Sequence, residues 1–274
     1  MLSVDPTSRG QTTPVQYAAV IMAGCRGPSD PVARAAGISH KCLVEVVGVP
    51  MLTRVIETLE SSPYVAKIVL CVEQSLENIP GIDERVAQGR LVRVDAAGSP
   101  AASALRAMDA LGHNFPLLIV TADHSLLDAR MLQHFCSLAP ACGDVAVGLA
   151  RAALVLEHYA ESTRTLLKFS DGARCGCNIF ALNTQAARAA VVFWTQLEAQ
   201  RKRPWRLIRM LGVTALFRYW CGRLSLAATL ATLSLKLGIK AQVVDMPFAE
   251  AAIDVDKPAD LELVESILRE RSAS

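Results

Sequence analysis

The sequence predicts an α/β fold with a mostly parallel sheet carrying helices on its faces, and three observations carry that prediction. Apolar runs of strand length recur along the chain, ending near Ala23 and spanning Lys67–Val72, Pro116–Thr121 and Asp144–Leu149. Between them lie stretches whose apolar residues are spaced as on one helix face, such as Leu52, Val55, Ile56 and Leu59. Strand, helix, strand in that order is the βαβ rhythm of a parallel sheet. The composition, 52% hydrophobic and 20% charged over 274 residues, is that of a globular chain long enough for one large domain or one domain with a sizeable insertion. The organisation expected is a flexible, polar lead-in over 1–14, a single domain over 15–274, and a basic helical insertion at about 201–240.

In chain order, a buried strand runs into Ala23-Gly24-Cys25-Arg26-Gly27, a turn that leaves backbone N–H groups free. Lys41 follows beside the apolar run Leu43–Val47, and Gly48-Val49-Pro50 starts a helix over Met51–Glu60 that Ser61-Ser62-Pro63 stops. Lys67–Val72 is a buried strand and Leu91–Val94 a weaker one. Ala97-Gly98-Ser99-Pro100 then opens a helix over Ala101–Leu111. Pro116–Thr121 is a strongly apolar strand leading to Ala122-Asp123-His124, with a helix starting near Asp128. Asp144–Leu149 and Thr165–Phe169 read as strands. Ser170–Asn178 reads as a polar turn feeding a strand at Ile179–Leu182. Gln242–Val244 returns to the sheet, and a terminal helix runs to about Arg269.

Several function classes drop out. The loop after the first strand matches neither G-x-x-x-x-G-K-[ST] nor G-x-G-x-x-G. Eight cysteines form no paired C-x-x-C knuckles, which disfavours a zinc site, and a disulfide framework is not expected in a core of this size, so a reducing cytosol fits best. A net charge of +2 does not argue for nucleic acid. No apolar run reaches the ~18–20 residues of a bilayer span. Residues 201–240 carry nine lysines and arginines and no acid, interleaved with Trp205, Phe217, Tyr219 and Trp220. This reads as two or three amphipathic helices forming a lid over the core or lying peripherally on an anionic inner membrane surface.

The candidate site collects at strand ends. Loop amides with a lysine are a common way to neutralise a nucleotide's phosphates. Asp123, directly after a buried strand, lies at the carboxyl edge where open α/β folds bind ligands, which makes it a candidate metal ligand. Asp254 and Asp256 alternate with apolar neighbours and so point to one side of an extended segment. Two carboxylates on one side are costly without a cation near them. Asp260 reads as charge or cap at the start of the last helix. Asn178 either bonds a substrate hydroxyl or satisfies local backbone.

Four motifs in order, the Ala-Gly loop, a lysine before Gly-x-Pro, Ala-Asp-His-x-Leu-Leu, and Ile-Asp-Val-Asp-Lys-Pro-Ala-Asp-Leu, make the chain resemble the MobA-like nucleotidyltransferases from about Ala18 to Glu265, apart from the basic insertion. The resemblance implies a three-layer α/β/α, glycosyltransferase-A-like fold. It also implies transfer of an NMP group from an NTP, GTP or CTP being favoured, to a molybdopterin-type, sugar-phosphate or polyol-phosphate acceptor, with release of pyrophosphate. Carried over by position, Ala23, Gly24, Cys25, Arg26 and Gly27 hold the triphosphate, Lys41 and Arg26 act on it, and Gly98 and Ser103 read the base. Asp123 and Asp256, with Asp254, hold Mg²⁺. The chain departs from the family in Cys25, in the long Pro28–His40 segment, and in Ser125 where a proline is usual. Two alternatives stand beside this reading: a glycosyltransferase using a nucleotide sugar, and a non-catalytic membrane-surface module on the same fold.

Overall fold

The computed structural model describes residues 14–24, 30–77, 79, 81–112, 116–162, 164–200, 221 and 223–273. In chain order the elements are β1 (Tyr17–Met22), α1 (Pro31–Ala35), β2 (Glu45–Val46), β3 (Val49–Pro50), α2 (Met51–Glu60), β4 (Val65–Val72), α3 (Ile82–Ala87), β5 (Leu91–Asp95) and α4 (Pro100–Ala110). They continue with β6 (Leu117–Thr121), α5 (Ala129–Leu138), β7 (Val145–Arg151), α6 (Ala152–His158), β8 (Arg174–Leu182), α7 (Arg188–Gln200), α8 (Leu226–Leu237), β9 (Ala241–Met246) and α9 (Pro258–Ala273). Seven of the strands form one sheet in the order β5-β4-β1-β6-β8-β7-β9. Of these, β8 runs antiparallel to its neighbours β6 and β7, and the other pairings are parallel.

Both faces of the sheet are buried, and the period of two along each strand divides the apolar residues between them. Ile21, Leu70 and Val120 point to one face, where they join Leu52 and Ile56 of α2 and Phe135 of α5. Val20, Val69 and Ile119 point to the other, against Ala104 and Met108 of α4 and Val191 of α7. This is the expected three-layer arrangement. From β1 the chain goes first to β4 and returns later to β6 on β1's other side. The carboxyl ends of β1 and β6 therefore flank the point where the strand order reverses, the place where open α/β sheets form a binding crevice.

A third apolar cluster lies outside the sheet. Val44 and Val46 from the stretch after Lys41 pack there with Ile253, Val255 and, from α9, Val264 and Ile267. Ile253 and Val255 are completely buried, each contributing about 2 kcal/mol of apolar burial. That burial fixes the outward side of the segment, which is where Asp254 and Asp256 stand.

Two readings change. Thr165–Phe169 is not a strand: only Leu167 bridges to Arg174, and the chain turns back at once, with Gly172 N–H donating to Phe169 O at 3.2 Å. Ser170–Asn178 is not all turn either. β8 already begins at Arg174, so Asn178 lies inside a strand and not at its entrance. Residues 201–220 of the expected insertion lie outside the described residues. The part that is described contains α8, in which no residue is fully buried and Leu235 is 87% exposed. Among the described residues no helix is long and apolar enough to cross a membrane.

Candidate active site

Asp123 is delivered by the sheet. It is the second residue after the apolar β6, and the intervening Ala122 N–H donates to Met22 O of β1 at 3.0 Å, which ties the turn to the neighbouring strand. The helix that follows is capped by Asp128, whose carboxylate accepts from Met131 N–H at 2.9 Å, as expected for an N-cap aspartate. Asp123 is thus left to the crevice.

Asp254 and Asp256 arrive by another route. They lie on an irregular segment between the short 3₁₀ turn Ala249–Ala252 and α9. Val255 N–H donates to Asp123 O at 3.2 Å, joining this segment to the strand end. Asp260, in the first turn of α9, accepts from Asp256 N–H at 3.0 Å and Lys257 N–H at 2.8 Å. This is the return arm of a capping box, from the third helical residue to the residue before the helix. One carboxylate oxygen from each of Asp123, Asp254 and Asp256 lies within 4.8 Å of the others.

Lys41 sits among these acids. It opens a 3₁₀ turn (Lys41–Leu43) whose Cys42 is buried, and its ammonium donates to Asp123 Oδ2 at 2.5 Å and to Asp256 Oδ1 at 2.9 Å. Burial by itself would lower the pKa of this amine, but the Asp123 and Asp256 carboxylates reverse the balance and hold it well above its ordinary value. Asp254 moves the other way for a carboxylate. Burial, then Asp123 and Asp256, push it up to about 6 against the pull of Arg164 and Lys41.

The donor set fits a hard divalent cation. It consists of carboxylate oxygens only, the ligands that magnesium and calcium prefer. Asp123 Oδ1 is buried without a hydrogen-bond partner among the described residues, a need that a bound cation would meet. The oxygens of Asp254 are engaged already, Oδ1 by Arg164 and Oδ2 by Asn178 Nδ2 at 2.7 Å.

Asn178 has a positive φ of 50°, which asparagine tolerates better than most residues. The cause is a bulge: Val147 pairs with Phe180 but Leu149 pairs with Gly176, so β8 holds extra residues around Asn178. Gly148 makes room for it, since a Cβ there would collide with Ile179. Of the two readings left open for Asn178, a substrate hydroxyl or local backbone, the side chain shows a third, a bond to Asp254.

The other expected residues lie along the same sheet edge. Ala23 N–H donates to Cys71 O at 2.8 Å, so that amide belongs to the sheet and is not free for a phosphate. Gly24 sits against the residues that follow β4 and β5, where a Cβ would come to 3.6 Å from Glu73 Oε1 and 3.7 Å from Ala96. Open space lies beside Gly98. Ser103 is buried, and its hydroxyl accepts from Ala97 N–H at 2.8 Å and donates to Ser99 O at 3.0 Å. It shapes the loop that carries Gly98. Cys25, Arg26 and Gly27 lie outside the described residues.

Sequence reasoning missed Arg164. Its guanidinium is 7% exposed and pairs with Asp254 and Asp260. No motif marks it. The one available signal is indirect: Asp254, Asp256 and Asp260 outnumber the one cation among them, Lys257.

A family model for the MobA-like NTP transferase domain matches residues 19–201, a span that includes Lys41, Asp123 and Asn178 and ends before Asp254. A comparison with curated proteins finds no match. Among solved structures, a hypothetical transferase from Thermus thermophilus is similar with a TM-score of 0.74 at 24% identity, over 90% of this chain and 100% of that one. A 2-C-methyl-D-erythritol 4-phosphate cytidylyltransferase, also from Thermus thermophilus, gives 0.55 at 14%, over 93% and 100%. A CMP:2-keto-3-deoxy-manno-octonic acid synthetase complexed with CTP gives 0.53 at 17%, over 93% and 99%. At these identities the likeness is one of fold.

Proposed function

Because the chain belongs to the MobA-like NTP transferase family, we propose that it transfers an NMP group from a nucleoside triphosphate, GTP or CTP, to a phosphorylated small-molecule acceptor and releases pyrophosphate. The domain doing so would span 15–274, with 201–240 as an insertion. The observation that carries this reading is Lys41 meeting Asp123 and Asp256 at the strand-order reversal. CTP is the first donor to test, since one similar structure is a cytidylyltransferase and another is complexed with CTP.

The acceptor's phosphate, with a second pKa of about 6, is largely ionised at neutral pH and needs no general base to attack the α-phosphorus. What the chain must supply is position and charge. Asp123 and Asp256, with Asp254 behind them, would hold Mg²⁺, which when bound neutralises and orients phosphate oxygens. Lys41, kept fully protonated by its carboxylate neighbours, supplies a mobile positive charge for the triphosphate. Gly24 with the loop residues after it would lie along the phosphates. The Gly98 loop, held in shape by Ser103, would meet the base. Asn178 is assigned to orienting Asp254 at the acceptor side of the site.

The test is a thermal-shift screen with CTP, GTP, ATP and UTP, each with and without Mg²⁺, followed by pyrophosphate release with candidate sugar, polyol and pterin phosphates. A donor at about 100 times its dissociation constant adds about 2.7 kcal/mol of stability. A magnesium-dependent shift with one nucleotide is the expected result, and no shift with any of the four overturns the reading. The nine basic residues of 201–240, interleaved with Trp205, Phe217, Tyr219 and Trp220, suggest one addition, a peripheral membrane contact through that stretch. Salt-dependent co-sedimentation with anionic liposomes is its expected sign, and its absence removes the contact.

A further inference from the structure

We propose that Arg164 is the positioning residue of the acid cluster: a single guanidinium that fixes Asp254 directly and Asp256 through Asp260, and so sets the affinity of the site for its divalent cation. The inference rests on the reading of Asp123, Asp254 and Asp256 as a metal site.

The geometry is that of a clamp closed on both ends of one short segment. Arg164 Nη1 donates to the carbonyl of Asp254 at 2.8 Å and to its carboxylate oxygen Oδ1. Nη2 donates to Asp260 Oδ1 at 2.5 Å, and Nε donates to Ser162 Oγ at 2.9 Å. The second oxygen of Asp260 holds the N–H groups of Asp256 and Lys257. Main chain before Asp256 and main chain after it are thus both tied to one planar group. Residues 253–257 belong to no strand, so no sheet ladder does this work in its place. The side chain is 7% exposed and that of Asp260 is 8% exposed, so water does not substitute readily for either partner.

Charge and shape make separable predictions. Asp123, Asp254, Asp256 and Asp260 bring four formal negative charges, against one positive charge each from Lys41 and Arg164. If Arg164 acted only as a charge, its removal would leave the site more negative and tighten cation binding. If it acts by position, losing the fork weakens binding even where the charge stays, because a lysine cannot reproduce donors aimed in three directions from one plane.

The experiment is titration of the full-length chain with Mn²⁺ alone, followed by electron paramagnetic resonance, for wild type, Arg164→Lys and Arg164→Met. Loss of an outer partner of a metal ligand typically costs 10–100-fold in affinity. A rise of about that size in the Mn²⁺ dissociation constant of Arg164→Lys is expected, with the far-ultraviolet circular dichroism of the wild type retained. Unchanged binding by Arg164→Lys, or tighter binding by Arg164→Met, overturns the proposal. Should the position-164 variants fail to fold, Asp260→Glu decides. It keeps the charge but displaces the carboxylate that joins Arg164 to the Asp256 N–H, so a several-fold loss of affinity supports the clamp and no loss overturns it. The titration needs neither nucleotide nor acceptor. A chain that binds Mn²⁺ but transfers no nucleotide defeats the proposed function and leaves the clamp standing.

Discussion

Asp123 and Asp256 meet on the same lysine, yet the chain brings them there by different means. Asp123 is the product of a strand: β6 is buried on both faces, its neighbour β1 fixes its register, and the acid emerges where the ladder ends. Asp256 is the product of side chains. Its segment has no ladder, and it is placed by the burial of Ile253 and Val255, by the Asp260 cap and by Arg164. The difference teaches where a carboxylate can be placed by local rules and where it needs partners far along the chain. Arg164 stands 90 residues before Asp254 and 96 before Asp260.

The largest effect expected is loss of activity when either acid is neutralised. Removing a metal ligand forfeits several kcal/mol of charge stabilisation in the transition state, about a thousandfold in kcat/KM for Asp123→Asn and for Asp256→Asn alike. Their stabilities should diverge. The Asp256 side chain is 48% exposed and Asp123 only 19%, so Asp256→Asn should leave the melting temperature nearly unchanged while Asp123→Asn moves it. Near-normal turnover in either variant removes that residue from the metal site.

Lys41 bridges the two regions, and its removal is expected to separate cation binding from turnover. In Lys41→Met the ammonium no longer occupies Asp123 and Asp256, so Mn²⁺ should bind more tightly than to the wild type. Turnover should nevertheless fall by about 10²–10³, the usual cost of a lost charge-stabilising donor. Weaker Mn²⁺ binding together with lost turnover would mean that Lys41 holds the acids in place and does not compete for them.

The same contrast explains what the sequence made legible. The strand-end residues could be read because an apolar run followed by an acid is a local pattern with one geometric outcome, and β6 with Asp123 follows it. The alternation Ile-Asp-Val-Asp could be read for the same reason, since burial of Ile253 and Val255 leaves the acids on the other side. Arg164 could not be read, because its role comes from where the irregular stretch between α6 and β8 lies in space, and no spacing encodes that. Asn178 stands out in the sequence, but its partner does not. The bulge that turns it to Asp254 depends on Gly148 of the partner strand, a pairing that neither strand announces alone. Ala23 shows the limit of a glycine-rich loop as a signal, for its amide is still part of the sheet.

Acid titration sets the two regions against each other. His124, next to Asp123 and fully buried, has its pKa pushed down to about 4 from 6.5, chiefly because burial disfavours the imidazolium. Between those values the unfolded chain binds the proton and the folded chain does not, so this group makes stability fall as pH drops from 6.5 to 4. Asp254 acts oppositely. Raised from 3.8 to about 6, it is protonated in the folded chain first, so stability falls as pH rises through that window. Each contributes on the order of 3 kcal/mol at most. Urea midpoints of the metal-free protein between pH 4 and 6 should therefore vary little in the wild type. They should fall with rising pH in His124→Asn and rise with it in Asp254→Asn. Parallel profiles in all three would mean that neither group is held in its shifted state.

The smallest effect concerns how Lys41 is carried. Between its turn and α2 the chain makes a two-residue hairpin of β2 and β3, with Val47 at φ 49° and Gly48 at φ 70°. Both residues of such a turn need positive φ, which suits Asn-Gly and penalises a β-branched residue by about 1–2 kcal/mol. Arg54 reinforces the turn by donating to Val46 O at 2.6 Å. Val47 is 38% exposed, so Val47→Asn gives up little packing while relieving the backbone. We expect a gain of about 1 kcal/mol, read as a melting temperature higher by roughly 2–4 °C, with kcat/KM unchanged. A gain in stability with a loss of activity would instead show that the strained turn helps hold Lys41 against the strand-borne and the loop-borne acid at once.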